Sequence, residues 1–560
     1  MPRKFNIIVG LGGTGEKCAS ALIHDICVGN VDCTKEDVFK FILIDKDSKC
    51  ATLSECTSLI SKYQQFRANY TEKLPTETTP QFARPKIELS QWDIDAMINP
   101  AGSANNNITV KQAVVTNNQG QDQQLLDMIY SDDEQDKGLQ NGFYGHPTLG
   151  ATVFRYAMKN YKGRGNTYLP VVNEAIAANT AGNNIEIRVF IFGSIFGGNG
   201  ASILPNIARE ISAELTAAGF AAGRFKIGGA LILPFFRIPT LDSDGNRVPD
   251  YAFKISEDTF MRKTIESLRY YESAKIVKSQ NNQNGCFDRL YLLGNMPFDF
   301  TSDNYADGGS DQNPHFHLIN MLAANAACDF FNTPVADLNA AAQPNNLYID
   351  RIAQRTAGEV NTFNWSNLAG EIAQGGKGKK DRYLKMACLA EFYTGYMYPQ
   401  FFFRLGDDAL MNDSKEVAVL YGRNGVFHRR NNCDSGQFNA LKDSVNATNA
   451  YLEEYITYLY EVANTGIDWS NLANRGTPYC NLFNSAHLGV LKTAVDDARQ
   501  GRDNAIHQLP NNLTLLGNID NEIADVVNTL FTTADPGRNG LYGGNYARLV
   551  DAIYGSFLIG

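Results

Sequence analysis

The sequence predicts an α/β protein with a mainly parallel sheet, followed by a helix-rich C-terminal region. Over the first 330 residues, short apolar runs alternate with longer segments that carry apolar residues at three-to-four spacing. The short runs are rich in Ile, Leu, Val and Phe, as expected for strands that are buried on both faces. Beyond residue 380 the helical spacing dominates.

The α/β part contains predicted strands and helices in alternation. The strands are Phe5–Gly10, Phe39–Asp45, Ile185–Phe192, Gly228–Pro234 and Arg289–Leu293. The helices are Glu16–Cys27, Thr148–Tyr161, Leu204–Ala217, Glu257–Ser273 and Phe316–Phe331. Because a span of the bilayer needs about 20 apolar residues, and these runs are far shorter, we expect no membrane insertion.

Three parts of the chain are predicted. Residues 1–340 form the α/β domain, which includes a polar insertion at 99–125 that is rich in Asn and Gln and is expected to be irregular. Residues 341–380 form a linker, since Gln343–Asn346 and Gly375–Lys380 break the pattern. Residues 381–560 form the C-terminal domain, with helices predicted at Arg382–Phe402, Phe438–Ala463, Leu488–Gly501 and Ile519–Leu530.

The composition narrows the function classes. The formal net charge of −10 argues against general nucleic-acid binding, because neutralising many phosphates needs a surplus of Lys and Arg. One nucleotide can still be held by backbone N–H groups and a metal ion. The ten cysteines form no CxxC pair, and the chain starts with a strand-like segment instead of a signal peptide, so we expect a cytoplasmic protein.

The first candidate for chemistry is a glycine loop between a strand and a helix. Glycines let the backbone approach an anion closely, and the following helix presents unpaired N–H groups with partial positive charge. The candidate phosphate-binding residues of this first loop are Gly10, Gly12, Gly13, Thr14 and Gly15. The loop alone leaves the ligand open, because nicotinamide and flavin domains and ATP-using E1-like enzymes share it.

Two further glycine loops favour a polyphosphate. The second loop follows the strand at Ile185–Phe192, and a third segment, Gly142–Gly150, leads into another helix. A dinucleotide-binding Rossmann domain uses one such loop for its pyrophosphate, whereas three loops on one ligand suit a polyphosphate. The candidate residues are Gly142, Gly145, Gly197, Gly198, Asn199, Gly200, Ala201 and Ser202.

These motifs, in this order, resemble the tubulin/FtsZ superfamily, particularly its divergent bacterial tubulin-like branch. Gly197–Ser202 is similar to the signature GGTGTG or GGTGSG loop, and Phe41–Asp47 stands where FtsZ-type proteins have a strand that ends in Asn-Thr-Asp. Phe287–Asn295 is similar to the strand that ends in a guanine-reading Asn, and Phe316–Asn320 to the start of the long core helix. The resemblance covers residues 5–331 and implies a tubulin/FtsZ-type, Rossmann-like GTPase domain.

The resemblance implies GTP or GDP with Mg²⁺ as ligands. The glycine loops would hold the phosphates, with Asp45 beside the nucleotide and Asp47 as a metal contact. Asn295 and Asn320 would read guanine, since an amide offers both a donor and an acceptor to that base. Phe316 would stack on the base and is expected to share a helix face with Asn320, as residues i and i+4.

The family completes hydrolysis in trans, with acidic residues from the loop after the core helix of a neighbouring subunit. Asp350 is the candidate catalytic residue in this chain, and Asp337 is its rival; Leu347 stands where the family has a further carboxylate. We therefore expect a GTP-binding protein that assembles into a homo-oligomer or filament, with GTPase activity left open. The C-terminal region is a candidate surface for a protein partner. The alternatives are a non-hydrolysing, nucleotide-bound scaffold and a dinucleotide- or ATP-using Rossmann-type enzyme.

Overall fold

The computed structural model describes most of the predicted α/β domain and the central helices of the C-terminal part. The described residues are 3–90, 92, 94–98, 108–115, 121–140, 142–143, 145–163, 165, 169–180, 185–221, 223–236, 257–279, 281–294, 310, 314–338, 347–351, 378–394, 398, 435–466, 480, 482–500 and 544–556.

Seven described strands form one parallel sheet, in the order β3-β2-β1-β4-β5-β6-β7. They are β1 (Arg3–Leu11), β2 (Val38–Ile44), β3 (Lys86–Leu89), β4 (Ile185–Ser194), β5 (Phe225–Ile232), β6 (Arg289–Gly294) and β7 (Leu347–Arg351). The first six strands have the 3-2-1-4-5-6 order of doubly wound nucleotide-binding sheets. The predicted α/β class with a parallel sheet is therefore confirmed.

All five predicted strands are present, and two strands were missed. β3 is short and half-polar (Lys-Ile-Glu-Leu), so it lacks the apolar run that marks a buried strand. β7 lies inside 341–380, which was predicted as a linker. Both missed strands are at the edges of the sheet, where one side has no neighbouring strand to bury it.

The helices connect and cover the strands. They are α1 (Gly12–Val28), α2 (Ala51–Asn69), α3 (Ile94–Ile98), α4 (Val110–Val114), α5 (Gln121–Ile129), α6 (Asp132–Gln135), α7 (Pro147–Gly163), α8 (Pro170–Thr180), α9 (Gly198–Ala217), α10 (Glu257–Ser273), α11 (Leu318–Asn332), α12 (Lys379–Phe392), α13 (Ser435–Ala463), α14 (Ser485–Arg499) and α15 (Gly544–Ser556). Among these described helices, none combines the length and apolar character needed to cross a bilayer.

Two helices begin earlier than predicted, inside the glycine loops. α1 begins at Gly12 instead of Glu16, and α9 begins at Gly198 instead of Leu204. The glycine loops are therefore the first turns of these helices, and their backbone N–H groups lie directly at the ends of β1 and β4.

The polar insertion is more ordered than its composition predicts. Its described residues include α4 and the start of α5, and α4 begins with a capping box between Thr109 and Gln112. Val110 and Val114 of α4 are buried, and Leu126 of α5 is buried as well. The expectation of irregular structure is wrong for these residues, because a few apolar side chains and a good N-cap stabilise short helices in a polar segment.

The described C-terminal helices pack directly on α1 and α2. The rings of Phe66 in α2 and Tyr451 in α13 stack with centroids 5.0 Å apart. His24 in α1 stacks on Tyr458 in α13, with centroids 4.6 Å apart. The aromatic residues of this region therefore contribute to a shared core, which agrees with the burial of Tyr393 in the Tyr-rich stretch after residue 388.

Candidate functional site

The sheet topology brings the first two glycine loops together. β1 and β4 are neighbours, with Leu11 paired to Gly193; β1 continues directly into α1, and three residues join β4 to α9. β1 is where the strand order reverses, since β2 lies on one side and β4 on the other. In open α/β sheets, ligands bind outside the carboxyl ends of the strands at this switch point.

Both helix N-termini at this point lack a side-chain cap. The N-cap residues are Leu11 for α1 and Gly197 for α9, and neither makes a side-chain cap hydrogen bond. The first N–H groups of a helix have no intrahelical partner and carry about half a positive charge. Two such termini side by side are suited to a ligand with several negative charges.

The three glycine turns meet around Asn199. Gly12 has φ +66, and a Cβ atom there would lie 3.1 Å from Asn199 Cβ. A Cβ at Gly142, where φ is +81, would lie 3.6 Å from Asn199 Nδ2. A Cβ at Gly198 would lie 3.2 Å from the backbone nitrogen of Gly145. Turns that are about 130 and 50 residues apart in the chain are therefore in contact, as the sequence motifs predicted.

Other glycines of the loops are required by packing. A Cβ at Gly15 would lie 2.7 Å from the carbonyl oxygen of Phe192, and one at Gly200 would lie 2.5 Å from the carbonyl oxygen of Ser194. A Cβ at Gly10 would meet Leu43 Cδ2 at 3.1 Å. These glycines hold the helices close to the strands, so their role is to position the turns.

The remaining predicted loop residues have identifiable positions. Thr14 lies in the first turn of α1 and is half-buried. The carbonyl oxygen of Ala201 accepts a hydrogen bond from the Tyr271 hydroxyl at 2.5 Å. The hydroxyl of Ser202 donates to the carbonyl oxygen of Gly198 at 2.5 Å, which fixes the first turn of α9. Lys263 of α10 donates to the carbonyl oxygen of Gly145 at 2.7 Å, and this lysine was not predicted from the sequence.

Carboxyl groups lie beside the glycine turns. Asp45 directly follows β2, and its Oδ1 accepts a hydrogen bond from Asn199 Nδ2 at 2.5 Å. One ligand atom each from Glu16, Asp45 and Cys50 lies within 4.8 Å of the other two, the only such metal-sized group among the described residues. Thr52 donates to Glu16 Oε2 at 2.7 Å.

The electrostatics of this group favour an added cation. Burial raises the pKa of Glu16 well above its ordinary value, and the negative charge of Asp45 raises it further. Burial also raises the pKa of Asp45 to about 7, although a hydrogen bond from the Asp47 backbone opposes this. Burial and the charge of Asp45 raise the pKa of the Cys50 thiol to about 12. Two carboxyl groups that repel each other in a buried site ionise more readily when a positive ion is bound between them.

Oxygen atoms that could hold such an ion are present. Glu16 Oε1 and Asn199 Oδ1 are buried and accept no hydrogen bond from any described residue. Carboxylate and amide oxygens are the protein ligands that Mg²⁺ prefers. Asp47, which the resemblance suggested as the metal contact, is outside this group of ligand atoms, and its Oδ1 accepts the backbone N–H of Lys49 at 3.1 Å. The sequence signal for Glu16 was available, since it directly follows Gly15.

The residues predicted to bind the base lie at the start of α11. This helix begins at Leu318, so Phe316 precedes the helix, and the expectation that it shares a helix face with Asn320 is wrong. His317 is the N-cap, and Asn320 Oδ1 accepts the His317 backbone N–H at 2.8 Å in a capping box. Asn320 Nδ2 donates to Cys18 Sγ at 3.5 Å, so both ends of this amide are engaged inside the protein.

The ring of Phe316 is covered by a cation. Lys17 Nζ lies 4.3 Å from the ring centroid, and it also pairs with Glu55 at 2.9 Å. The backbone N–H of Phe316 donates to Glu461 Oε2 in α13 at 2.7 Å. Lys17 is five residues after Gly12, or about 7 to 8 Å along α1. The Phe316 ring also lies 6.4 Å from the ring of His24, twelve residues after Gly12, so it packs along the side of α1 beyond the glycine turn.

One predicted residue does not join this site, and another lies outside the described residues. Asn295 lies outside the described residues. Asp350 lies in β7 and pairs with Leu293 of β6, so the expectation that it belongs to a loop after the core helix is wrong. It is level with the carboxyl ends of the strands, since Leu293 pairs with Ile232 and Ile232 with Ser194. Four neighbouring strands therefore separate β2 from the strand of Asp350 at the same end of the sheet.

Asp337 lies at the opposite end of the sheet. It is exposed, in a turn that directly follows α11. The guanidinium of Arg188, near the start of β4, donates to the carbonyl oxygens of Phe330 at 2.9 Å and Phe331 at 2.8 Å, which fixes the end of α11 near the amino ends of the strands. The turn with Asp337 is therefore far from the glycine turns of its own chain.

No family model matches the chain, and no curated protein matches it. The resemblance to the tubulin/FtsZ superfamily therefore rests on the sequence motifs alone.

Proposed function

We propose that the protein binds a guanosine polyphosphate, GTP or GDP, with Mg²⁺, at the carboxyl ends of β1 and β4, in the manner of the tubulin/FtsZ superfamily. The observation that carries the proposal is the contact among three glycine turns, in which Gly12 and Gly142 approach Asn199 and Gly198 approaches the backbone nitrogen of Gly145. Each turn offers backbone at close range, and two of them continue into uncapped helices.

A polyphosphate fits this arrangement better than a single phosphate. The N-termini of α1 and α9 together offer two sets of unpaired N–H groups, and the third turn closes over them. The carboxylates of Glu16 and Asp45 would repel a polyphosphate unless a cation lay between these carboxylates and the phosphates, so the proposal includes Mg²⁺.

The base would lie toward Phe316 and Lys17. A guanine there would present its O6 and N7 acceptors to the Lys17 ammonium, whereas an adenine would present an amino group in place of O6. This favours GTP over ATP. The Lys17–Glu55 pair would have to yield to the base, and an ion pair with an exposed partner is weak enough to do so.

A dinucleotide is the second candidate. Gly10 near the end of β1, with Gly12 and Gly15 after the strand, has the spacing of the dinucleotide fingerprint, and Asp45, directly after β2, is where such proteins bind a ribose hydroxyl. Against this candidate, the hydrogen bond from Asn199 occupies Asp45 Oδ1, and the second glycine turn has no task in a dinucleotide site.

The experiment is to identify the bound nucleotide. Native mass spectrometry of the gently purified full chain should detect GTP or GDP, and titration with fluorescent GTP should give saturable binding. Competition by unlabelled GTP, ATP and NAD then ranks the ligands. GTP must compete at least about 10-fold better than ATP, a difference of 1.4 kcal/mol. Bound NAD or AMP, or no effect of GTP at millimolar concentration with magnesium, would refute the proposal.

Self-assembly and hydrolysis belong to the proposal as a second step. Head-to-tail stacking brings the end of one subunit that is opposite its nucleotide onto the nucleotide of the next. Of the two candidates, Asp337 meets that requirement, because it is exposed at the amino ends of the strands, whereas Asp350 lies level with the glycine turns. We therefore assign the trans-acting carboxylate to Asp337. A non-hydrolysing scaffold remains the alternative, and the concentration dependence of phosphate release separates the two.

A further inference from the structure

The group of Glu16, Asp45 and Thr52 forms one side of the site, behind the first glycine turn. A Cβ at Gly13 would lie 3.1 Å from Thr52 Oγ1, so the phosphate loop rests directly on this group. Glu16 is fully buried. Its Oε2 accepts the Thr52 hydroxyl, while its Oε1 faces no hydrogen-bond donor among the described residues.

A buried carboxylate oxygen without a donor is costly. Removing the partner of a buried polar group costs about 1 to 3 kcal/mol, and more for a charged group. Asn199 adds a second such atom, because its Nδ2 donates to Asp45 while its Oδ1 has no partner among the described residues. A cation bound at this point would interact favourably with both oxygens and would reduce the repulsion between the two carboxyl groups.

We propose that Glu16 and Asp45 bind one hard divalent cation directly, before any nucleotide arrives, with Asn199 and Thr52 as additional oxygen donors. Cation binding itself does not depend on the proposed function. Only the later role of the ion, attracting a polyphosphate, rests on the proposed function. The ion would be held by the protein itself and would make the site attractive to a polyphosphate. Magnesium and manganese ions fit the donor set, since both take carboxylate, carbonyl and hydroxyl oxygens.

Cys50 is the only sulfur ligand in this group, and a single thiol beside several oxygens is a poor site for a soft metal such as zinc. The Sγ atom of Cys50 lies 3.0 Å from Thr52 Oγ1. Structural zinc sites use several thiolate or imidazole ligands, and no histidine belongs to this group.

The test is manganese binding to the full chain from which nucleotide has been removed. Electron paramagnetic resonance of free Mn²⁺ should show one bound ion per chain, which excess Mg²⁺ displaces. Glu16→Gln keeps the size and the Thr52 hydrogen bond of the side chain but removes its charge, and it should weaken Mn²⁺ binding at least about 10-fold. Asp45→Asn should do the same.

A matched control is available on α9. Glu214 is also a buried glutamate with an oxygen that lacks a partner among the described residues, but it lies 16 residues after Gly198, about 24 Å along the helix. Glu214→Gln should leave Mn²⁺ binding unchanged. If Asp47→Asn removes Mn²⁺ binding and Glu16→Gln does not, the ligand assignment is overturned.

A second measurement protects the test against misfolding. Because a ligand that binds only the folded state stabilises it, 5 mM MgCl₂ should raise the melting temperature of the nucleotide-free wild-type protein above its value in EDTA. The same addition should have no effect on Glu16→Gln, whose circular dichroism in EDTA should match wild type. If Mn²⁺ binds only together with GTP, the inference fails while the proposed function stands. If Mn²⁺ binds but GTP does not, the reverse holds.

Discussion

Replacing Gly12 by alanine tests whether the glycine turns bind the nucleotide or only shape the fold. Gly12 has φ +66 at the start of α1, and Gly29 has φ +85 at the C-cap of the same helix. The two sites form a matched pair, because alanine in this left-handed region costs about 1 to 2 kcal/mol at either position. Only Gly12 faces the candidate site.

The expected loss of affinity follows from the local geometry. A Cβ at Gly12 would lie 3.1 Å from Asn199 Cβ, so the first and second turns must move apart, whereas a Cβ at Gly29 would meet only the Gln81 carbonyl oxygen at 3.7 Å. A hydrogen bond to a charged group contributes about 1.5 to 3 kcal/mol. Loss of one such bond to phosphate weakens binding by about 10- to 100-fold.

The assay is fluorescence anisotropy with a labelled GTP, paired with urea unfolding of the same preparations. We expect both variants to lose free energy of unfolding, Gly12→Ala more than Gly29→Ala because of the close contact with Asn199, and we expect Gly12→Ala alone to lose affinity. Equal affinities for the two variants would show that the turn at Gly12 does not contact the ligand, and the reasoning would then be refuted.

The remaining predictions concern hydrolysis and pH. Asp337→Ala should lower GTP hydrolysis per subunit about 100-fold, because a group that assists the attacking water is lost. Phosphate release by the wild-type protein should rise more than linearly with protein concentration. An equal loss of hydrolysis in Asp350→Ala would contradict the assignment to Asp337. Burial raises the pKa of Asp25 from 3.8 to about 6, although hydrogen bonds from Tyr383 and Asn30 oppose this. The folded state then holds a proton that the unfolded state releases, so this carboxyl lowers the free energy of unfolding as pH rises from about 4 to 6, by on the order of 3 kcal/mol. In urea unfolding series at several pH values, the free energy of unfolding of Asp25→Asn should rise relative to that of wild type as pH increases from about 4 to 6. If the difference between the two proteins does not change with pH, the raised pKa of Asp25 is not the cause.

The fold was predictable where burial leaves a clear pattern. β1 and β4 lie inside the sheet and each contains an unbroken apolar run, Ile7–Val9 in β1 and Val189–Phe192 in β4, and these runs identified them. The edge strands β3 and β7 carry charged residues such as Glu88 and Asp350, which is usual at an edge, and the pattern failed there. The error at Asp350 followed directly, because an undetected strand was read as a loop.

The contact among the glycine turns was predictable, because it depends on the backbone. Clustered glycines indicate turns in which backbone segments approach each other closely or adopt positive φ. Gly12, Gly142 and Gly198 were all predicted to lie in such turns. Side-chain roles depend on contacts between distant segments, which a single sequence does not reveal. The burial of Glu16 against Thr52 and the capping role of Asn320 are of this kind.

The core helix α11 separates Phe316, just before its first turn, from Asp337, just after its last turn. Its first turn is fixed by the turn that follows α13, since the Leu318 backbone N–H donates to Thr465 Oγ1 at 2.9 Å. At its other end, Arg188 donates to the carbonyl oxygen of Thr333 at 2.7 Å, which satisfies a carbonyl beyond the last turn. A helix of 15 residues spans about 22 Å. Because both ends are tied to neighbouring elements, Phe316 stays beside α1, beyond the first glycine turn, and Asp337 stays at the far end. A carboxylate held there cannot reach the proposed nucleotide site of its own chain, so the part proposed for it in hydrolysis requires a second copy.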